Sequence, residues 1–304
     1  MHDFNDVWYT SRDGIELYAR DYRSSRNADK EATAIVCLPG MTRNSADFHT
    51  LALHLRARFR VIAVDLRGRG RSGHDPDSSN YNPVTYVADV NGLIEHLHLT
   101  RVIFIGTSLG GLVAMLIAAS RPDYVQALIL NDLAPEIEQA GLRRIQSYVG
   151  KAAPVQNWGE ACAQARLFNG TELPDLTDEQ WLAFARNIYH QEGDGPPVLA
   201  YDPAIAEPFN SREGNTALAS LWPVYDALPQ IPLLLIRGEF SDIVARESVQ
   251  EMQRRRNILQ YAEIPNRGHA PLLNEPEALR AIDQLLQVFS PADAESVGEA
   301  TGSL

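Results

Sequence analysis

Apolar residues are distributed along this chain with two alternating periods. Short runs typical of strands, of which 32–38 is a continuous apolar run, occur at 32–38, 60–64, 102–105, 125–130, 232–236 and 259–264, and longer segments with apolar residues at helical spacing separate them. Continuous apolar runs are typical of strands buried on both faces of a sheet. Strands that alternate with helices predict a mostly parallel, doubly wound sheet, which binds its ligands at the carboxyl ends of the strands.

The two ends of the chain extend this pattern. Residues 7–11 and 15–22 alternate around an Asp13-Gly14 turn, which predicts a β-hairpin at one edge of the sheet. Residues 276–289 are predicted to close the fold as a helix. Residues 290–304 are small, polar and acidic, and we expect them to form a disordered tail.

A segment of different character interrupts the sheet pattern at 133–230. Its roughly hundred residues show helical periodicity without a convincing strand, with helices predicted near 135–150, 158–168, 178–189 and 216–228. An insertion this long between two strands is too large for a loop. We therefore predict a core formed by 1–132 and 231–289, and a helical cap formed by 133–230.

The predicted cap is rich in aromatic residues: Trp158, Phe168, Trp181, Phe184, Tyr189 and Trp222. For each of them, packing between cap helices is the more common role. Collectively they suggest a fairly apolar ligand, and Trp222 is a candidate substrate contact.

The stretch at 102–111 has the strongest chemical signature. A buried strand enters Gly106-Thr107-Ser108-Leu109-Gly110, and an apolar helix is predicted to leave it. In such a turn the serine hydroxyl projects from the sheet edge, the glycines leave room for the strained backbone, and the amide after the serine can stabilise an oxyanion. Ser108 is the candidate nucleophile, and the amide of Leu109 a candidate oxyanion-hole donor.

A serine hydroxyl needs a base within hydrogen-bond reach. Of the eight histidines, only His269 lies on a late strand-end loop of the right kind. For the acid that orients it we favour Asp242, which gives the order serine, acid, histidine. Asp132, after the strand at 125–130, is the alternative, and otherwise a hydrogen-bonding residue at the cap entrance that contacts substrate. Glu239 is a weaker candidate.

The composition of the chain argues against some classes of binding partner. Lys and Arg number 27 against 39 Asp and Glu, a formal charge of −12 over 304 residues, which disfavours nucleic acid and anionic membranes. Neither a secretory signal nor an apolar run of spanning length is present, and two cysteines do not make a disulfide framework or a metal site. We expect a cytoplasmic protein, monomeric or homodimeric, without metal or cofactor.

Gly68, Gly70 and Gly73 match the dinucleotide-binding pattern by letter. That pattern requires a helix to open at its third glycine, but a polar loop follows here. The glycines are therefore predicted to form a tight loop, with Arg67 and Arg71 in ion pairs.

The chain resembles capped α/β-hydrolases of the esterase, lactonase and carbon–carbon hydrolase branch. The resemblance covers nearly the whole chain and is carried by the serine turn and by these segments: Leu38-Pro39-Gly40-Met41, 65–72, 238–242 and Gly268-His269. Pro39 departs from the histidine usual in the family's oxyanion loop. The resemblance implies an eight-stranded α/β-hydrolase fold and a second oxyanion-hole amide at Met41. Arg43, just beyond, could bind a substrate carboxylate or pair with a protein acid.

The expected function is hydrolysis of a small carboxylic ester or lactone through an acyl-serine. The alternatives are a carbon–carbon bond hydrolase of ring-cleavage products, a cofactor-free oxygenase, and a ligand receptor that keeps the triad. The resemblance excludes haloalkane dehalogenases and epoxide hydrolases, which need a carboxylate at the position of Ser108.

Overall fold

The computed structural model describes residues 3–24, 33–210 and 220–289. Its main sheet has eight strands in the order β1-β2-β4-β3-β5-β6-β9-β10. The strands of the chain are β1 Asn5–Thr10, β2 Glu16–Tyr22, β3 Ala34–Leu38, β4 Arg60–Asp65, β5 Val102–Thr107, β6 Val125–Asn131, β7 Tyr189–His190, β8 Val198–Leu199, β9 Leu233–Gly238 and β10 Leu259–Ile264. β1 and β2 pair antiparallel, as do β2 and β4, while the remaining pairs of this sheet are parallel.

Helices cover both faces of the sheet. In chain order they are α1 His49–Leu55, α2 Pro83–His96, α3 Leu109–Ser120, α4 Gln139–Tyr148, α5 Trp158–Asn169, α6 Asp178–Ile188, α7 Ala206–Asn210, α8 Trp222–Asp226, α9 Arg246–Arg255 and α10 Pro276–Leu286. Single 3₁₀ turns occupy Ser45–Phe48, Ser78–Asn80, Pro203–Ile205 and Gln287–Phe289. The doubly wound α/β-hydrolase fold with an eight-stranded, mostly parallel sheet is thereby confirmed.

Local signals placed most of these elements correctly. Asn82 caps α2 by accepting a hydrogen bond from the amide of Thr85, and Thr177 with Gln180 forms the capping box of α6. The segment that follows β3 begins as a 3₁₀ turn at Ser45 and becomes α-helical at His49. The predicted helix start at 216 and the predicted tail at 290–304 lie outside the described residues.

We call residues 133–230, the segment between β6 and β9, the cap segment. Its described part contains α4 to α8 and, contrary to the all-helical prediction, the short antiparallel pair of β7 and β8. Its own hydrophobic cluster includes Trp181, Phe184 and Tyr189, with Trp158 packed against it. Most of the aromatic residues that suggested an apolar ligand therefore pack against one another.

The glycine-rich loop at 67–73 is a structural loop and not a nucleotide site. Arg67 is buried, and its guanidinium binds the carboxylates of Asp13, Asp75 and Asp89. Arg71 pairs with Asp6. The prediction that these arginines form ion pairs is confirmed.

Candidate active site

Ser108 lies at a sharp turn between β5 and α3. Its backbone has φ 50° and ψ −114°, a conformation that non-glycine residues rarely adopt. A Cβ on Gly106 would lie 2.5 Å from the backbone of Gly110, and one on Gly110 would overlap the carbonyl oxygen of Leu38. Both glycines are therefore required for the helix to start directly against the sheet, which leaves the Ser108 side chain at the carboxyl edge.

The structure brings His269 to this serine across the sheet edge. The imidazole Nε2 lies 3.0 Å from Ser108 Oγ, within hydrogen-bond distance. His269 follows β10 in the loop before α10, as predicted for a late strand-end histidine. A nitrogen at this position can accept the hydroxyl proton when the serine attacks an electrophile.

The acid beside His269 is Asp132, and the prediction of Asp242 for this position is wrong. Asp132 Oδ2 lies 2.8 Å from His269 Nδ1 and also accepts a hydrogen bond from the Ser241 hydroxyl at 2.7 Å. Its Oδ1 accepts the amide of Gly238 at 3.0 Å. The Asp132 side chain is fully buried, so it does not stand at the cap entrance as a substrate contact.

Both acids follow strands that end at this sheet edge, and the contacts of each loop decide between them. β6 is the neighbour of β5, and Asp132 directly follows the last residue of β6. Asp242 lies four residues beyond the end of β9 at Gly238, where Arg144 of α4 binds both of its carboxylate oxygens at 2.7 and 2.8 Å. Burial acts to raise the pKa of Asp242, but the hydrogen bonds and charge of Arg144 hold it below its ordinary value.

The two predicted oxyanion-hole residues follow the carboxyl ends of the neighbouring strands β5 and β3. Leu109 is the first residue of α3, and Met41 belongs to the loop that follows β3. Within the described chain, neither backbone N–H donates a hydrogen bond to another residue. Both amides are therefore available to an oxygen bound near the serine, and their role in an oxyanion hole stays a prediction.

Ser108 and His269 open into a cavity of about 390 Å³ between the core and the cap segment. Its lining is mixed, with polar groups such as Asn169, Gln180 and Asn187 beside apolar ones such as Leu173 and Leu176. The cavity is large enough for a small organic substrate.

Arg43 lines the cavity and is paired with a protein acid. Its guanidinium forms a forked pair with Asp47, at 2.6 and 2.5 Å, and lies 4.2 Å from the ring centre of Phe184. The predicted alternative, pairing with a protein acid, is what the structure shows. Trp222 is not among the residues lining the cavity in the described part of the chain. It packs on Tyr225 and under Arg255 instead, so its prediction as a substrate contact is wrong.

Sequence reasoning missed Glu172 and Arg144. The Glu172 carboxylate accepts the backbone amide of His269 at 2.6 Å, and Arg144 lies between Glu172 and Asp242. Both residues belong to the cap segment, whose contacts with the core a single sequence does not predict. The only sequence feature that could have drawn attention to Arg144 is its position as an arginine within the amphipathic pattern of α4.

The described residues contain neither a metal-binding cluster nor a helix that could span a membrane. No group of three or more His, Cys, Asp or Glu side chains is arranged to hold a metal ion. None of the helices described is both long and apolar enough to cross a lipid bilayer.

Comparison with known proteins places this site in a family. The alpha/beta hydrolase family matches residues 35–282, which include Ser108, Asp132 and His269. The chain belongs to the alpha/beta hydrolase family. A crystal structure of an alpha/beta hydrolase from Novosphingobium aromaticivorans superposes with a TM-score of 0.87 at 38% identity, covering 94% of this chain and 99% of that one.

Curated members of the alpha/beta hydrolase family include related enzymes. A 3-hydroxybutyrate-oligomer hydrolase of Cupriavidus necator is 34% identical over 256 residues, which cover 82% of this chain and 87% of that protein. A 2-(acetamidomethylene)succinate hydrolase of Mesorhizobium japonicum is 29% identical over 248 residues, which cover 81% of this chain and 85% of that protein. These similarities support hydrolase chemistry in general, while their substrates differ.

Proposed function

We propose that the protein is a serine hydrolase that cleaves a small carboxylic ester or lactone through an acyl-serine intermediate. One observation carries the proposal: Ser108 Oγ, His269 and Asp132 form a continuous hydrogen-bonded line, with distances of 3.0 and 2.8 Å, at the edge of a substrate-sized cavity. Membership in the alpha/beta hydrolase family supports the same chemistry.

Each group has a role in the proposed mechanism. His269 accepts the proton of Ser108 as the hydroxyl attacks the carbonyl carbon, and Asp132 fixes the ring and stabilises its charged form. The oxyanion of the tetrahedral intermediate is held by the amides of Met41 and Leu109. His269 then protonates the leaving alcohol, and water repeats the sequence to release the acid.

The first substrates to test are esters of short hydroxy acids. The relative of 34% identity is a 3-hydroxybutyrate-oligomer hydrolase. The side-chain amides of Asn169, Gln180 and Asn187 on the cavity wall can hydrogen-bond a hydroxyl or a second ester group. Each side chain also bonds a protein group, Asn169 the carbonyl of Ala165, Gln180 the amide of Thr177 and Asn187 the carboxylate of Asp47, and each has a second amide atom to offer a substrate.

A panel of simple nitrophenyl esters, lactones and short hydroxybutyrate esters tests the proposal, with wild type compared against Ser108→Ala. We expect turnover of at least one ester by wild type and a loss of at least about 10³-fold in the variant. Full activity in Ser108→Ala would exclude an acyl-serine mechanism.

Carbon–carbon bond hydrolysis receives less support from the site. Its acidic diketone substrates would require a cationic anchor, but Arg43 is already paired with Asp47. Arg267, also at the cavity, is paired with Asp175 and Glu275. Two further experiments test the remaining alternatives. Consumption of oxygen together with substrate, measured with an oxygen electrode, would indicate an oxygenase. Labelling of Ser108 by a fluorophosphonate without turnover of any ester would indicate a receptor.

A further inference from the structure

Glu172 of the cap segment accepts hydrogen bonds from two consecutive backbone amides in the loop that carries His269. Its side-chain Oε2 accepts the N–H of His269 at 2.6 Å, and its backbone carbonyl accepts the N–H of Gly268 at 2.8 Å. The Glu172 side chain is only 8% exposed. A single residue of the cap segment therefore accepts the N–H groups of the two peptides that flank Gly268.

Gly268 and the Glu172 carboxylate are in close contact. A Cβ on Gly268 would overlap the carboxylate of Glu172, so this loop can approach the carboxylate only because it carries a glycine here. Glu172 itself is fixed in the turn after α5, where its amide donates to the carbonyl of Asn169 at 3.1 Å.

The charge of Glu172 is balanced within the cap segment. Arg144 Nε lies 3.4 Å from Glu172 Oε1, and the hydroxyl of Thr171 donates to the same oxygen at 3.1 Å. A buried carboxylate is stable when it is paired and hydrogen-bonded in this way. The remaining oxygen, Oε2, is then directed at the His269 amide.

The hydrogen bonds of the imidazole do not by themselves fix the backbone of His269. Asp132 and Ser108 bond the two ring nitrogens, whereas Glu172 bonds the backbone N–H of the same residue. Displacements of about 1 Å at a reacting group can reduce a rate about a hundredfold.

We propose that Glu172 is a positioning residue, which sets the distance between His269 and Ser108 through the His269 backbone. The cap segment then does more than shape the cavity, because it also aligns the base. This inference rests on the proposed function, since it assumes that His269 activates Ser108.

Two substitutions distinguish the length of the Glu172 side chain from its negative charge. Glu172→Gln keeps an acceptor oxygen at the same reach and removes the charge, whereas Glu172→Asp keeps the charge and withdraws the acceptor by one methylene group. Glu179→Gln, at an exposed position on α6 of the same segment, is the matched control. The readouts are kcat and KM for an ester that wild type turns over, and the second-order rate at which a small fluorophosphonate labels Ser108.

Positioning predicts that Glu172→Asp lowers both kcat and the labelling rate about tenfold or more, with little change in KM. Glu172→Gln should stay within about threefold of wild type, as should the control. A role limited to substrate contact would raise KM and leave the labelling rate unchanged, and a role limited to charge would reverse the order of the two variants. Either result would overturn the inference.

The labelling assay also separates this inference from the proposed function. If wild type does not label at Ser108, the proposed function fails. If wild type and Glu172→Asp label at equal rates, the proposed function stands and only the positioning role is refuted. Thermal melting of each variant identifies any loss that comes from unfolding, and the rates are compared at a temperature at which wild type and Glu172→Asp are both folded.

Discussion

Replacing each candidate acid by asparagine tests which carboxylate supports His269. Asp132→Asn removes a buried negative charge 2.8 Å from His269 Nδ1. For charges about 4 Å apart at an effective dielectric constant of about 20, the interaction with an imidazolium is about 4 kcal/mol, or roughly a thousandfold in rate. An asparagine can also favour the wrong ring tautomer, and in a comparable triad this change lowers kcat about 10⁴-fold.

We therefore expect Asp132→Asn to lower kcat/KM for an activated ester by about 10³ to 10⁴-fold. Asp242→Asn should lower it less than about tenfold, because Asp242 is bound by Arg144 and does not contact the imidazole. The assay is release of nitrophenolate at saturating and limiting substrate, with circular dichroism to confirm that both variants fold. A larger loss for Asp242→Asn would refute the assignment of the acid.

Further predictions concern stability. Gly110→Ala should unfold the protein more easily by about 2 kcal/mol or more, since the new Cβ overlaps the Leu38 carbonyl. Gly92→Ala, on α2 with open space at its Cβ, should instead stabilise by about 0.5–1 kcal/mol in the same denaturant titration. The Asp242 pair with Arg144 should stabilise by about 1 kcal/mol at pH 7. Because the pKa of Asp242 is lowered in the folded state, the stability difference between wild type and Asp242→Asn should persist above about pH 5 and shrink as the pH falls through that lowered pKa. A stability difference between wild type and Asp242→Asn that grew on acidification would contradict a stabilising ion pair between Asp242 and Arg144.

The elements of the core could be predicted because local signals and tertiary structure agree there. The buried parallel strands β3 and β5 have continuous apolar runs, and the edge strand β10, which contains Gln260 and Glu263, was also predicted with its observed bounds, Leu259–Ile264. The turn at Ser108 was predictable for the same reason, since the glycines at 106 and 110 report a backbone contact that any side chain would block. His269 followed from its position after the last strand.

The acid could not be settled from one sequence. Asp132 and Asp242 both follow strands that end at the same sheet edge, and the choice depends on which loop turns toward the histidine. Arg144, about a hundred residues before Asp242, binds that carboxylate through a contact between the cap segment and the core. Neither spacing nor periodicity encodes such a contact, and the same holds for Glu172 on His269 and for Trp222 packing away from the cavity.

The central claim is that Ser108 becomes acylated during turnover. Mixing the enzyme with a nitrophenyl ester, quenching with acid within the first turnover and measuring the mass of the peptide that contains Ser108 tests this directly. The account predicts a gain equal to the acyl group on that serine in wild type and no gain in Ser108→Ala. Steady turnover without acylation of Ser108, or acylation of a different residue, would contradict it.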